Sequence, residues 1–499
     1  MLRIRKVKTK SGAIAYQVVQ YIGHRVKIEK HIGSAKNEEQ CNILQSFATE
    51  WIEKQVAQLS LFPGEKQKVL FVEKSKCIAV THDFAYQFFS KCIEACGLLQ
   101  LPQLLIDLAI MRLIEPSSKL QAINLLSRYF GKQYSQRIYQ IIPKFIDYKS
   151  TIESHAFNTA NVVFEEQFYY VLYDVTTLYF ESFKSDELRI QGFSKDNKSQ
   201  QPQIVIGLLV TQSGFPLSYN VFPGNTFEGK TMLPVIENFI EKHPDTKPIV
   251  VADAAMLDEE RLAELRNKKI SYIVGARLAN VNIKLVKQIH TSLNTNKGAT
   301  VRMKTQHGDL ICDFSMKRYK KELNDLNKLI QKAEDLVAKQ SLGNKAKFVK
   351  RVSKEKIELN IGLIEKRKLL LGIKGYCTNL SEVKLSNSAV IDRYHQLWHV
   401  EQSFRMSKSD LEARPIYHRN EDAIRSHVLI CFVALMAEKY LELKTNMSLK
   451  KIRTLVWSLT ESHIQDTITK EVFKFSSPTS EILNTPLASL IKEWGVLPH

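Results

Sequence analysis

The chain has 499 residues, 44% of them hydrophobic, and carries 71 Lys and Arg against 52 Asp and Glu, a formal net charge of +19. Such a composition describes an ordinary globular protein of several domains with at least one large core, and the excess of basic residues points to an extended polyanion, nucleic acid above all, as partner. The longest apolar run of interest, Val428 to Ala437, falls far short of the roughly 20 residues a membrane-spanning helix needs and reads as a buried helix, and no amphipathic membrane anchor stands out.

Residues 1 to about 35 alternate apolar and polar positions in runs separated at Ser11-Gly12 and Gly23-His24, which predicts a small β-meander. It is rich in Lys and Arg, so it is either a basic ribbon that lies along DNA or an exposed basic sheet face. No apolar segment follows the basic start MLRIRKVKTKSG, so a secretory signal is not expected and the chain is assigned to the cytoplasm. From 36 to 58 the pattern is helical, with Phe47, Trp51 and Ile52 on one side, up to a turn at Pro63-Gly64. Residues 82 to 165 are predicted helical almost throughout, with a helix start at Pro116-Ser117-Ser118. A plain helical bundle is the preferred reading there, and a helix-turn-helix DNA reader the alternative. Seven cysteines are scattered along the chain, and Cys92 and Cys96, the close pair, have helical spacing with no second pair, so reduced structural thiols are expected.

At 168 the period changes. A strand at 169 to 174 is followed, beyond the polar stretch GFSKDNKSQQ, by strands at 204 to 211 and 217 to 222 joined through Gly214-Phe215-Pro216. A helix at 229 to 242, a strand at 248 to 252, a helix at 257 to 267 and a strand at 271 to 274 complete a mixed α/β core. The next hundred residues interrupt it with a β-like segment at 300 to 314 and a charged helical stretch at 316 to 371. There Leu323, Leu326, Ile330, Ala333 and Val337 share one face and Gly343-Asn344 turns the chain back. This basic hairpin reads as a solvated stalk, as an arm on DNA phosphates, or as both. The core resumes at 376 to 378, and 447 to 499 reads as two or three short helices with a polar break at Ser476-Ser477-Pro478.

Three carboxylates stand out within this frame. Asp174 and Asp253 each close a short β-rich run, Tyr169 to Tyr173 and Pro248 to Ala252, and Glu401 lies in a long helical pattern, YHQLWHVEQSFRMSKSDL. At 100° per residue Tyr394, Trp398, Glu401, Arg405 and Lys408 fall on one face, beside an apolar seam of Leu397, Val400, Phe404 and Leu411. Hard oxygen ligands with no His or Cys cluster suit Mg²⁺ or Mn²⁺, and a pair of such ions about 3.5–4 Å apart serves in-line displacement at phosphorus. The flanking cations suit phosphates and the rings suit base stacking.

The order Asp174, Asp253, Glu401 and the spacing Tyr394-x-x-Leu397-x-x-x-Glu401-x-x-x-x-x-x-Lys408 resemble the DDE transposases of bacterial insertion sequences, in particular the insertion-sequence-four superfamily, over roughly 168 to 440. That family's pattern is Tyr, two residues, Arg, three residues, Glu, six residues, Lys. Leu397 stands where the Arg is expected, leaving Arg405 or Arg393 to take over its phosphate contact. The resemblance implies an RNase H-like catalytic core with an insertion between the second Asp and the Glu. It also implies two Mg²⁺ ions, replaceable by Mn²⁺, held by Asp174, Asp253 and Glu401. The implied reaction is nicking at element ends and strand transfer into target DNA, by a homodimer bridging two terminal inverted repeats. Tyr394 and Lys408 would hold end phosphates, Arg405 would add a further DNA contact, and Trp398 would stack on an unpaired base. The expected parts are thus a basic β-rich region (1–75), a helical region (76–165), the core in two pieces (166–278 and 376–446), the insertion (279–375) and a C-terminal helical region (447–499). The protein would work in the bacterial cytoplasm, at the nucleoid when bound to DNA. The alternatives are a metal-dependent nuclease of the same fold and a DNA-binding protein derived from a transposase that has lost catalysis.

Overall fold

The computed structural model describes residues 2–22, 25–56, 75–135, 137–181, 184–193, 200–254, 259–293, 300–306, 308–339, 347–352, 356–414, 416–467 and 470–496. The turns expected at Gly23-His24, Pro63-Gly64 and Gly343-Asn344, and most of GFSKDNKSQQ, lie outside the described residues. The chain divides into two compact units, Met1–Phe88 with Ser127–Lys132 and Thr454–His499, and Phe89–Leu126 with Gln133–Arg453.

The first unit opens with the expected meander. Strands β1 (Leu2–Lys8), β2 (Ile14–Ile22) and β3 (Arg25–Ala35) pair antiparallel in that order, and helix α1 (Glu38–Val56) lies against them. Tyr16 and Ala35 from the sheet and Leu44 from the helix form its buried centre. Strand β4 (Ser75–Thr81) then leads into helix α2 (Asp83–Ala95).

Helices α3 (Gln103–Ile114), α4 (Lys119–Phe130), α5 (Ile138–Ile141) and α6 (Lys149–Val163) fill the stretch expected to be helical. The start at Pro116-Ser117-Ser118 is present, and the Ser118 hydroxyl accepts the amide of Gln121 at 3.2 Å, as an N-cap does. Strand β5 (Tyr170–Tyr179) begins the large sheet, followed by β6 (Gln203–Thr211), β7 (Pro216–Pro223), α7 (Met232–Lys242), β8 (Ile249–Ala252), α8 (Glu259–Asn267) and β9 (Ser271–Ala276). Helix α9 (Ile283–Ser292), the hairpin β10 (Thr300–Thr305) and β11 (Gly308–Phe314), helix α10 (Met316–Ala338), the short pair β12 (Val349–Arg351) and β13 (Ile357–Leu359) and helix α11 (Ile361–Leu369) make up the insertion. Strand β14 (Ile373–Thr378) returns to the sheet. Then come α12 (Asn387–His395), α13 (Trp398–Arg405), a π-helical turn over Met406–Asp410 and the long helix α14 (Glu421–Thr445).

The eight strands run in the order β10-β11-β14-β9-β8-β5-β6-β7. Strand β6 is antiparallel to both of its neighbours β7 and β5, β8 and β9 run parallel to β5, and β14, β11 and β10 extend the sheet beyond β9, each antiparallel to the strand before it. The part β7-β6-β5-β8-β9 has the three antiparallel strands followed by two parallel ones expected from the sequence for a mixed α/β core, and the inserted hairpin widens its sheet. Strand β6 is buried at every residue and α14 is buried almost all round, which is why both read as continuous apolar runs without periodicity. Helix α14 is stopped at both ends by asparagine. The Asn420 side chain accepts the amides of Asp422 and Ala423, and Asn446 turns left-handed at φ 55°.

The basic helical stretch is not a bare stalk. Leu326 and Ala333 of α10 are buried together with Phe348, Ile364 and Leu371, so the chain beyond residue 347 covers the apolar face of the helix. Within that return, β12 and β13 replace part of the expected second helix.

The chain re-enters the first unit at Thr454 within helix α15 (Leu449–Trp457), followed by strands β15 (Glu461–Asp466) and β16 (Val472–Ser476) and helices α16 (Ser480–Leu483) and α17 (Leu487–Trp494). The helices were expected and the strands were not. Strand β15 pairs with β16 and with β4, whose Thr81 lies opposite Glu461, and no local pattern signals a partner so far away in the chain. His82 stacks on Trp457 at 3.6 Å between ring centroids, and Tyr129 meets the same indole edge-on at 5.0 Å.

Candidate active site

Asp174 does not close a strand. Strand β5 continues through Val175-Thr176-Thr177-Leu178-Tyr179, paired to β6 from Val171↔Thr211 to Tyr179↔Gln203, and Asp174 stands near its middle opposite Leu208. The aspartate escapes full burial there because the parallel neighbour stops short. Register pairs Tyr173 with Ala252, the last residue of β8, so Asp174 and the exposed Asp253 are the next residues side by side. Adjacent strands lie about 4.8 Å apart, and directly opposite residues of a parallel pair point to the same face.

That face is the one covered by the helix carrying the glutamate. Thr176 and Leu178, which share the Asp174 side of β5, line a small cavity with Phe404 and Lys408, and α13 packs on β5 and β6. Val400 and Phe404 are buried, as is Leu397, and the Ser403 hydroxyl donates to the carbonyl of Gly214 at 3.2 Å. The apolar seam therefore seats the helix, and Glu401 is carried exposed in its first turn.

The continuous helix expected over 394 to 408 is broken. After His395 the chain tightens into three-residue bonds, Leu397 N to Tyr394 O at 3.1 Å and Val400 N to Leu397 O at 3.1 Å, and after Arg405 it widens into the π-helical turn. The five residues placed on one stripe thus separate. Trp398 is 53% exposed and stacks on His399 at 3.8 Å, and Arg405 is exposed. Lys408 is half-buried on the π turn beside Phe404. Tyr394 is buried under the site, where its hydroxyl donates to Asp253 Oδ1 at 2.7 Å. Burial first, and then the charge of Asp253, raise the Tyr394 pKa, so the phenol stays a donor at neutral pH. Arg393 lies over the ring of Tyr170 at 4.4 Å.

Two contributors carried no separate signal. Gly275, at the end of β9, leaves the space that the Tyr394 hydroxyl occupies, for a Cβ there would lie 2.6 Å from it. Lys374 on β14 places its ammonium 4.5 Å from the Tyr394 ring centroid. Burial and then Arg318 lower its pKa, while Asp313, Asp253 and Glu401 raise it, so its charge lies within the fields of two of the three carboxylates. A lone lysine inside the run IKGYCT is the same kind of anomaly that drew attention to Asp174.

The donor set is three carboxylates, two on neighbouring strands and one on the helix laid across them, which by its chemistry suits a hard divalent cation. Among the described residues no three His, Cys, Asp or Glu side chains are arranged to hold a metal ion together, so these carboxylates are neighbours and not a closed shell.

Comparison with known proteins bears on this geometry. No curated protein matches the chain in sequence. Among solved structures, the chain is similar to one described as a cryo-EM structure of the piggyBac transposase synaptic complex with hairpin DNA. The two are 11% identical with a TM-score of 0.35, over 90% of this chain and 82% of that one. The model of the family described as the transposase DDE domain matches residues 169–437, from the start of β5 to within α14, and takes in all three carboxylates. With more than half of its length matched in this way, the chain belongs to the transposase DDE domain family.

Proposed function

We propose that the protein cleaves DNA at the ends of an insertion sequence and joins those ends to target DNA, with Asp174, Asp253 and Glu401 as its catalytic residues. The observation that carries this reading is the β5–β8 register, which sets Asp174 beside Asp253 under the helix that bears Glu401. The three carboxylates would hold two Mg²⁺ ions, which when bound supply an activated attacking oxygen and a stabilised leaving oxygen. Mn²⁺ would substitute.

The chain's own side chains do the positioning. Tyr394 and the amide of Ala254 hold one oxygen of Asp253, and Lys374 offsets the like charge of Asp253 and Glu401. Trp398 offers an exposed ring for an unpaired base, and Arg405 a cation for a backbone phosphate. Lys408 holds a phosphate from the π turn, and the Tyr394 phosphate contact implied by resemblance gives way to its bond with Asp253. The partners are the element's terminal inverted repeats and target DNA, engaged by a homodimer in the cytoplasm.

The test is excision and joining of a marked DNA segment bounded by the gene's native flanks, with wild type and Glu401→Gln compared at several millimolar Mg²⁺. Joined products from wild type alone are expected. Cutting without joining would make the protein a nuclease of the same fold, and binding with neither would make it a retired DNA-binding protein. Asp174→Asn and Asp253→Asn should likewise abolish cleavage and leave DNA binding intact.

A further inference from the structure

Lys119 opens helix α4 and is only 5% exposed. Its ammonium lies 3.0 Å from Nδ1 of His427. The other ring nitrogen of His427, Nε2, lies 3.0 Å from the carbonyl of Ala413, which can only accept. Nε2 therefore carries the proton of the neutral imidazole and Nδ1 accepts from Lys119. An ammonium has three hydrogens, so two remain. Among the described residues no carboxylate lies within ion-pair distance of Lys119.

The ammonium borders a cavity of about 370 Å³, at the lower end of the ~300–1,000 Å³ range of small-ligand sites. Arg112, 6% exposed, lines it too and spends its Nη1 on the carbonyls of Leu411 and Glu412, at 3.3 and 3.2 Å. Arg414 and His418 add to the wall, and Glu412, exposed at the rim, is the one carboxylate among the described residues that line it. Tyr139 and Tyr417, 54% and 69% exposed, stand at the cavity as well. Burial first, and Arg112 second, push the Lys119 pKa well below its ordinary value, as expected of a cation kept from water without an anion.

From the buried ammonium, its two remaining hydrogens and the cavity they border, we propose that this pocket binds a phosphate group. It is separate from the three carboxylates. His427 also lines the small cavity bounded by Thr176 and Leu178, which point to the Asp174 side of β5, and Leu178 is four residues beyond Asp174, roughly 13 Å along the strand. That is about the rise of four base pairs, so one duplex engaged at the carboxylates is long enough to bring a backbone phosphate here. The DNA source rests on the proposed function, and a free phosphate does not.

The test uses the full-length chain, with Lys119→Met keeping the bulk of the side chain without its charge. Inorganic phosphate should raise the melting temperature of wild type above the effect of chloride at equal ionic strength, and Lys119→Met should lose that rise. If DNA supplies the phosphate, the salt slope of duplex binding should also fall by about 0.9 in the variant. An unchanged slope with a lost phosphate response places a free phosphate in the pocket. If Lys119→Met does not fold, Arg414→Gln takes its place with the same expectations at smaller amplitude. A phosphate response no larger than that of chloride, together with an unchanged slope, overturns the proposal. A wild type that binds no DNA but answers to phosphate would overturn the proposed function and leave the pocket standing.

Discussion

The contact between Gly275 and Tyr394 allows a quantitative check of how Asp253 is held. Gly275→Ala would place a methyl 2.6 Å from the Tyr394 hydroxyl, 2.9 Å from Cβ of Ala254 and 3.1 Å from its amide nitrogen. Overpacking of this kind costs about 1–3 kcal/mol, and the phenol is the group that can give, by leaving Asp253. Tyr394→Phe removes the 2.7 Å hydrogen bond directly. Bonds to charged groups are worth about 1.5–3 kcal/mol, and the lower end applies because the exposed carboxylate regains water. In the double variant the atom struck at 2.6 Å is gone and only the Ala254 contacts remain, so the total should fall short of the sum by about 1–2 kcal/mol. Urea unfolding of the four proteins measures this coupling. Cleavage should show the same pattern, each single change costing about 10–100-fold as loss of a ligand-orienting partner does, and the double no more than the worse single. Stabilities that add to within about 0.5 kcal/mol, or cleavage losses that multiply, would refute the claim that Gly275 acts through Tyr394 on Asp253.

Three further outcomes follow from other parts of the second unit. Lys374→Met removes a cation from the fields of Asp253 and Glu401, and a change of ~1 kcal/mol in a water-facing setting should lower the Mg²⁺ needed for half-maximal cleavage about fivefold; a raised requirement would contradict it. Arg302, with 8% of its side chain exposed, donates to Asp309 at 2.7 Å and to the Leu385 carbonyl at 2.9 Å, tying the inserted hairpin to the segment before α12. Arg302→Met should cost about 3 kcal/mol in urea unfolding, and a loss under about 1 kcal/mol would show the tie to be idle. His418 has its pKa pushed down to about 4, by burial and then by Lys119 and Arg112, with the His427 ring beside it at 5.6 Å. Its folded value lies below its unfolded 6.5, so protonation favours unfolding. The stability it contributes is complete above pH 6.5 and is lost as pH falls toward 4. His418→Gln should flatten that limb of the pH–stability curve, and identical slopes for the two proteins would place the titration elsewhere.

Much of this molecule could be read from local pattern. The meander, the helical region, the strands at 203–211 and 216–223 joined by a tight turn, and the buried helix around Val428–Ala437 follow from periodicity and turn residues, because each is specified by neighbours within a few positions. Asp174, Asp253 and Glu401 stood out because charges interrupt apolar or β-rich runs, and Val400 and Phe404 marked the side on which the helix is seated.

Tertiary structure decided what depends on distant partners. Strands β4, β15 and β16 are short and poorly buried, and gain their identity from one another across most of the chain. The end of β8 at Ala252, and not the end of β5, leaves Asp174 open beside Asp253. Tyr394 turns inward because the chain tightens after His395 and because Gly275, more than a hundred residues earlier, leaves room for its hydroxyl. The cavity beside Lys119 unites residues of the helical region with others from the segment that leads into α14. Composition and spacing thus determined which chemical groups this protein has and which elements carry them. Only the fold decided which groups meet, because a hydrogen bond or a charge contact acts over a few ångströms of space whatever the separation along the chain.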